Sequence, residues 1–462
     1  MLAGNNKYEI DMCSGPIFRK LLRFALPLMA STVLQLLFNA ADIVVVGRFA
    51  GDNSLAAVGS TSSLVALFTN LFLGLSVGAN VIVARYYGAN DKKSLSETIH
   101  TSMLISLISG IVLTVLGELL ARVMLELMKA DKDVIDLAAV YLRVYFIGMT
   151  ATMVYNFASA ILRAAGDTKR PLYYLFVAGI VNVILNLFFV IVLNMDVAGV
   201  ALATTISQCI SAALVVRCLI KGSGMIHFEP KKMRIYKDKL IEIIRVGLPA
   251  GIQGTVFSIS NVVIQSSVNS FGAVVIAGNS AGNNIEHFMY AAINAFAQGA
   301  VSFTSQNYGA GEKKRINKIL VTALGCVIVT GTVLGVLTII FSKPLVSIYT
   351  SNPEVIKAGR DRLAITMALY ATCGMMDVMA GTNRGLGYSI VPMAISMIGA
   401  CGIRLLWIWT LFAQPQFHTQ EMLFMIYPVS WVATFLAHLV CFFIIKPKAD
   451  KKMDERKKML QN

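Results

Sequence analysis

The sequence predicts an all-α integral membrane protein with twelve transmembrane helices. They form two six-helix lobes related by a parallel internal repeat, a pseudo-twofold along the membrane normal. Three observations predict it: the composition, the spacing of apolar runs, and a match between the two halves. Of 462 residues, 56% are hydrophobic and 14% charged, and the mean hydropathy is +0.69. Soluble domains carry about 25% charged residues, so a water-soluble domain, a disordered chain and a secreted disulfide scaffold are excluded. A spanning helix needs about 20 apolar residues, which leaves space for roughly a dozen spans and no large soluble domain. Function must therefore reside within the membrane.

Apolar runs bounded by charges and turn residues place the spans at 21–46, 57–84, 97–120, 134–160, 171–193, 198–220, 246–269, 276–306, 317–341, 361–383, 388–413 and 422–445. The formal net charge is +15, which in a soluble chain would suggest nucleic acid as a partner. Its placement argues for lipid instead. Lys and Arg gather before the first span, in the even-numbered loops, above all Lys221 to Arg245, and in the tail from Lys446. By the positive-inside rule both termini and these loops are cytoplasmic, in a multi-pass protein of the inner or plasma membrane. The first apolar run follows Arg19, Lys20 and Arg23 with no small-residue cleavage site after it, so no signal peptide is expected. Cys13, Cys209, Cys218, Cys326, Cys373, Cys401 and Cys441 include no CxxC pair and read as small packing residues.

The repeat is visible at an offset of about 221 residues. Arg23-Phe-Ala-Leu-Pro27 returns as Arg245-Val-Gly-Leu-Pro249, and Tyr87-Gly-Ala-Asn-Asp-Lys-Lys93 as Tyr308-Gly-Ala-Gly-Glu-Lys-Lys314. Arg163-Ala-Ala-Gly166 with Pro171 returns as Arg384-Gly-Leu-Gly387 with Pro392. The expected organisation is a first lobe over 1–220, a basic linker over 221–245, a second lobe over 246–445 and a basic tail over 446–462. Six spans per half is an even number, so both halves enter from the same side, bracketing a cleft that rocking would open alternately.

Polar residues within the spans are the candidate functional groups, because ionisable side chains are expensive in hydrocarbon. Asp42 lies roughly 30 Å along the first span at 1.5 Å per residue, in the outer part of the bilayer. There it either serves function or caps the helix end and pairs with Arg48. Asn182 and Asn186 form an i, i+4 pair on the fifth span, and Thr204 and Tyr141 reach a similar depth on the sixth and fourth. Singly, such amides and hydroxyls glue helices together. At shared depth, one carboxylate with amide, hydroxyl and phenol oxygens suits a hard cation or a carboxyl that takes up a proton. The second half has no acid to match Asp42 and instead offers a possible second site in Glu286, His287 and Asp377. Glu286 is either titratable or paired with His287, and Asp377 either belongs to the site or faces water at the inner mouth. Arg143 and Arg404 are candidate counter-ions. Met289, Tyr290, Met375 and Met376 could line a substrate cleft, since thioethers and ring faces suit planar cations, although packing explains each one singly. With no GxxxxGK[ST], HExxH or GxSxG, no enzymatic activity is expected and energy has to come from an ion gradient.

Ile285-Glu286-His-Phe288 followed by Ser305-Gln306-Asn307-Tyr-Gly309-Ala310-Gly311 resembles the eighth-span signature of the multidrug and toxic compound extrusion (MATE) family. Leu162-Arg163-Ala-Ala-Gly166-Asp167-Thr168-Lys169 with Pro171, and Ala198-Gly-Val-Ala-Leu-Ala-Thr204 with Gln208, are similar to further family motifs. The resemblance covers roughly residues 15 to 445. It implies secondary active multidrug efflux: export of drug-like, often cationic compounds in exchange for H⁺ or Na⁺, with no cofactor and no metal beyond a possible Na⁺. It also implies that Asp42, Tyr141, Asn182 and Thr204 act as ligands in the first lobe. Where one branch of the family has a second aspartate this chain has Asn186, and where another has a seventh-span glutamate it has Gln253 to Phe257. The expected partners are small-molecule substrates and the lipid bilayer, with no nucleic acid, around a monomer. The alternative is a lipid-linked precursor flippase of the same superfamily, whose cleft would carry several basic residues.

Overall fold

The computed structural model describes residues 7–127, 132–222 and 224–459. In chain order the helices are α1 (Ile17–Phe49), α2 (Asp52–Gly88), α3 (Lys92–Leu127), α4 (Lys132–Ile147), α5 (Met149–Ala164), α6 (Lys169–Leu187), α7 (Asp196–Ile220) and α8 (Lys237–Asn269). They continue as α9 (Ala273–Ala310), α10 (Lys313–Ile340), α11 (Ser342–Ser347), α12 (Pro353–Ala368), α13 (Tyr370–Gly385), α14 (Ile390–Ser396), α15 (Ile403–Trp409) and α16 (Gln420–Met459). No strand occurs among the described residues. Among the described residues nine helices, counting α6 with the π turn Phe188–Val192 that follows it and α14 and α15 with the π turn Met397–Gly402 between them, are long and apolar enough to cross a bilayer; two bent pairs bring the number to eleven. The remaining expected span is α9, whose 38 residues suffice in length but carry too many polar groups to pass the same test. Leu119, Val321, Ile398 and Phe443 are each about 70% exposed or close to it (70%, 69%, 70% and 68%); in water such positions would drive aggregation, whereas lipid tails cover them.

The two expected spans at 134–160 and 361–383 are each two helices rather than one. The first bends by 46° between α4 and α5. Gly148 stands at the break because any Cβ there would meet Thr205 Oγ1 at 2.8 Å, and that same hydroxyl donates to the Val144 carbonyl at 3.0 Å. A bend that loosens the helix ladder is thus re-satisfied from α7. The second bends by 49° between α12 and α13, and Thr372 Oγ1 donates to the Leu369 carbonyl there at 2.7 Å. The expected tail continues α16 without a break, supported by the Lys446–Asp450 i, i+4 pair at 2.5 Å and by an ion pair from Asp454 to Lys313 on α10.

The chain divides into two compact units, Met1–Asp11 with Ala30–Gly251, and Met12–Met29 with Ile252–Asn462. In the first, Val46, Leu113, Phe146, Met153 and Val200 anchor an apolar core between α1, α2, α3, α4, α5 and α7. Glycines let backbones approach: Gly74 and Gly78 of α2 meet Gly247 and Gly251 of α8, and a Cβ on Gly247 would come within 2.7 Å of the Leu75 Cα. This is a reciprocal GxxxG crossing, the close packing that membrane helices use in place of hydrophobic association. In the second unit, α13 packs against α9, α10 and α16, with a core of Ile264, Ile408, Leu423 and Phe424 nearby.

The repeat extends to backbone conformation. Gly166 (φ +89°) and Gly387 (φ +88°) end corresponding helices in the left-handed region, and Asn90 (φ +56°) and Gly311 (φ +75°) do the same one motif earlier in each half. These are positions where glycine or asparagine is favoured because a Cβ is strained there.

Candidate functional site

Three helices of the first unit build a closed ring of four polar side chains. α6 presents Asn182 and Asn186 on one face, 4% and 0% exposed; Asp42 comes from α1 at 9%, and Thr204 from α7. The Asn186 amide donates to Asp42 Oδ1 and to Asn182 Oδ1 at 3.3 Å. Asn182 in turn donates to Thr204 Oγ1 at 3.3 Å, whose hydroxyl donates to Asp42 Oδ2 at 3.4 Å. Both carboxylate oxygens therefore have a donor. One atom does not join: Asn186 Oδ1 is buried without a hydrogen-bond partner, a condition that costs about 1–3 kcal/mol in a protein interior. Just beyond this face α6 passes into the π turn Phe188–Val192, the kind of helix defect often found beside functional groups.

Tyr141, expected among the ligands, borders the ring instead. Its ring stacks on Tyr145 at 5.8 Å within the apolar core, and it makes no hydrogen bond to the four side chains among the described residues. Asp42 lies close enough for its charge to act on both phenols. Arg48 and Arg143 are exposed and neither pairs with Asp42, which sets aside the interfacial ion pair and one of the two counter-ions considered. Chemically the ring offers a carboxylate, two amide oxygens and a hydroxyl, all hard oxygen donors suited to a proton or an alkali cation. No group of three or more His, Cys, Asp or Glu able to hold a metal ion occurs among the described residues.

In the second unit the expected residues assemble differently. Glu286 pairs with Arg362 rather than with His287: Arg362 Nη2 lies 2.7 Å from Glu286 Oε2 and also bonds Asn283, while His287 is exposed. Arg362 is 1% exposed and lies against Gly282, where a Cβ would meet Nη1 at 2.8 Å. The Tyr370 hydroxyl adds a bond to the Glu286 carbonyl at 3.2 Å. Asp377 does not face open water. It is half-buried and accepts from the Tyr290 hydroxyl at 2.9 Å, so a predicted second-site acid and a predicted cleft aromatic meet. Met376 is buried, whereas Met289 and Met375 are partly accessible. Arg404 pairs with no acid; its Nε donates to Ser430 at 2.9 Å. The sequence reading missed Arg362, which stands at the edge of an apolar run and there looks like an interfacial charge, and His438, fully buried and bonded to Ser396 at 3.0 Å.

The fold and the site together define a two-repeat, all-helical, multi-pass membrane protein with a buried oxygen cage in its first half. The MatE family model matches residues 27–188 and again 249–410, and the chain belongs to this family of membrane transporters. It is 27% identical over 397 residues to the probable multidrug resistance protein YoeA of Bacillus subtilis, covering 84% of this chain and 85% of the relative. It is 28% identical over 388 residues to YpnP of the same organism, also a probable multidrug resistance protein, covering 84% and 87%. The FAD transporter of Shewanella oneidensis is 24% identical over 402 residues, covering 86% and 87%. Among solved structures, a MATE in complex with MaL6 superposes with a TM-score of 0.90 at 20% identity, covering 96% of this chain and all of that one. An outward-facing multidrug resistance MATE transporter gives 0.85 at 20%, covering 97% and 99%.

Proposed function

We propose that this protein is a secondary active exporter of drug-like, often cationic organic compounds, driven by exchange with H⁺ or Na⁺ through alternating access of two lobes. The observation that carries the reading is the closed ring around Asp42: the one carboxylate among four converging side chains, shielded from lipid, next to an unbonded amide oxygen. Such a group in a membrane lobe has a function by default, because packing alone is served at lower cost by apolar residues. The names of the relatives support multidrug export, and the protein is placed in the inner or plasma membrane with both termini cytoplasmic on the strength of its basic even loops.

The ring favours H⁺ as the coupling ion. A proton needs one oxygen of Asp42 and leaves the remaining bonds nearly in place. A Na⁺ ion needs several oxygens turned inward, and Asn186 has its NH₂ on the carboxylate and its oxygen directed elsewhere. To bind the cation, the Asn186 amide has to rotate and bring the orphaned Oδ1 into the cage, where a single formal charge holds the ion. Dye efflux from proteoliposomes tests both parts. Ethidium extrusion driven by an imposed pH gradient and indifferent to a Na⁺ gradient is expected; extrusion that follows only Na⁺ overturns the proton reading, and no gradient-driven extrusion overturns the exporter. The lipid-linked precursor flippase is the second reading, favoured by the buried Arg362 and Arg404 and the half-buried Arg384 of the second unit, and it predicts movement of a lipid-linked sugar in place of ethidium.

A further inference from the structure

The repeat allows the helices that build the Asp42 ring to be compared with their counterparts. At the offset of about 221 residues, Asp42 on α1 corresponds to Val263 on α8, Asn182 on α6 to Ile403 on α15, and Thr204 on α7 to Met425 on α16. Asp42, Asn182 and Thr204 are thus replaced by apolar side chains, while Asn186 corresponds to Trp407, whose indole N–H donates to the Met422 carbonyl at 3.1 Å. One residue beyond the Asn182 counterpart stands Arg404, two residues after the π turn Met397–Gly402, as Asn186 stands two residues before the π turn Phe188–Val192 of α6. Around Arg404, on α15, α16 again supplies polar groups. The Arg404 Cζ lies 4.7 Å from the centre of the Tyr427 ring, and its Nε donates to Ser430 of α16 at 2.9 Å.

The charge at this place is uncompensated. Arg404 is 7% exposed and makes no ion pair among the described residues. Glu286, whose charge reaches Tyr427 together with those of Arg362 and Arg404, is already engaged by Arg362 at 2.7 Å. Tyr427 and Ser430 serve the ring face and the Nε–H of Arg404, and no hydrogen bond engages its Nη nitrogens among the described residues. Buried charges are normally paired, and a guanidinium presents parallel N–H groups that match the two oxygens of a carboxylate.

We infer that Arg404, with Tyr427 and Ser430, forms a subsite for a singly charged carboxylate carried by the transported molecule, so that the substrates include zwitterionic and anionic amphiphiles as well as cations. The two halves then hold related sites of opposite sign, an acid cage in the first and a guanidinium cage in the second. The inference rests on the exporter reading for its meaning in transport, but the subsite itself is tested by binding.

Rhodamine 110 and its methyl ester rhodamine 123 share one fluorophore and differ in whether the carboxylate is free. Their anisotropy is titrated with the full-length protein in detergent. The wild-type protein should bind rhodamine 110 about 10-fold more tightly than the ester, a difference set by one charge-assisted contact. Arg404→Gln should abolish that preference and leave rhodamine 123 affinity unchanged, which also reports that the variant is folded. Equal affinity of the wild-type protein for the two dyes, or equal weakening of both by Arg404→Gln, overturns the subsite. Should Arg404→Gln fail to fold, Arg404→Lys keeps the charge and loses the fork. It should lower rhodamine 110 affinity several-fold, and an undiminished preference is equally fatal. Failure of gradient-driven ethidium efflux counts against the exporter and leaves the dye ratio untouched.

Discussion

Breaking the Glu286–Arg362 pair distinguishes a structural strut from a titrating second site. The pair is 2.7 Å long with side chains 18% and 1% exposed; at an effective dielectric constant near 20 the attraction is about 6 kcal/mol before desolvation is subtracted. Glu286→Gln keeps an oxygen for the Arg362 Nη2 bond but removes the countercharge of a guanidinium sealed from solvent. The expected loss is about 3 kcal/mol, at the lower end for a broken buried pair. Arg362→Met leaves a carboxylate that retains some access to water, so its loss is smaller, about 1–2 kcal/mol. The double variant removes both charges and should lie within about 1 kcal/mol of the milder single, a coupling energy of about 2–3 kcal/mol. Reversible unfolding in mixed SDS and dodecylmaltoside micelles, followed by tryptophan fluorescence, measures all four corners of the cycle. Simple additivity refutes the pairing. The same four proteins in ethidium-loaded liposomes decide the role: a double variant that is stable and still couples efflux to the gradient makes Glu286 structural, and one that is stable but uncoupled restores it as an ion site.

Asp42→Asn should fold, because neutralising a buried carboxylate seldom harms stability, and should reduce gradient-driven ethidium efflux to the background of empty liposomes; efflux at the wild-type rate removes Asp42 from the mechanism. Asn186→Asp places a second carboxylate in the ring and should introduce a Na⁺ response about 10-fold stronger than that of the parent in a Na⁺-dependent thermal-shift titration, and an unchanged titration counts against the cage. Gly247→Leu drives a side chain into the Leu75 backbone of α2 and should destabilise by at least about 1–3 kcal/mol, visible as a lowered unfolding temperature in detergent; a neutral outcome contradicts the glycine crossing. A cysteine at Gln416 should react with an impermeant maleimide only from outside and one at Lys232 only from the cytoplasm, and the reverse pattern overturns the orientation.

Much of this architecture is legible in the chain because apolar run length and helix pitch are local properties. The i, i+4 spacing of Asn182 and Asn186 places them on one face whatever else happens, and their depth along the fifth span puts them level with Asp42. The bends at Gly148 and Leu369 escape such reading, since a glycine or leucine in an apolar run gives no sign that a threonine hydroxyl, from Thr205 of α7 in the first case and from Thr372 three residues on in the second, will bond a carbonyl at the break. Arg362 escapes it for a different reason: its partner is 76 residues away, and pairing at that separation is set by how α12 packs on α9. Tyr141 shows the converse, a residue with fitting chemistry and depth whose ring stacks on its neighbour Tyr145 beside the four hydrogen-bonded side chains.

The orphaned oxygen of Asn186 has a genetic consequence. Asparagine and aspartate codons differ by one base, and the two side chains have nearly the same shape. Conversion of this amide to an acid would leave α1, α6 and α7 in their present places while doubling the formal charge of the cage. On the proposed reading of the cage as the coupling site, its choice of ion lies a single base change from its present setting.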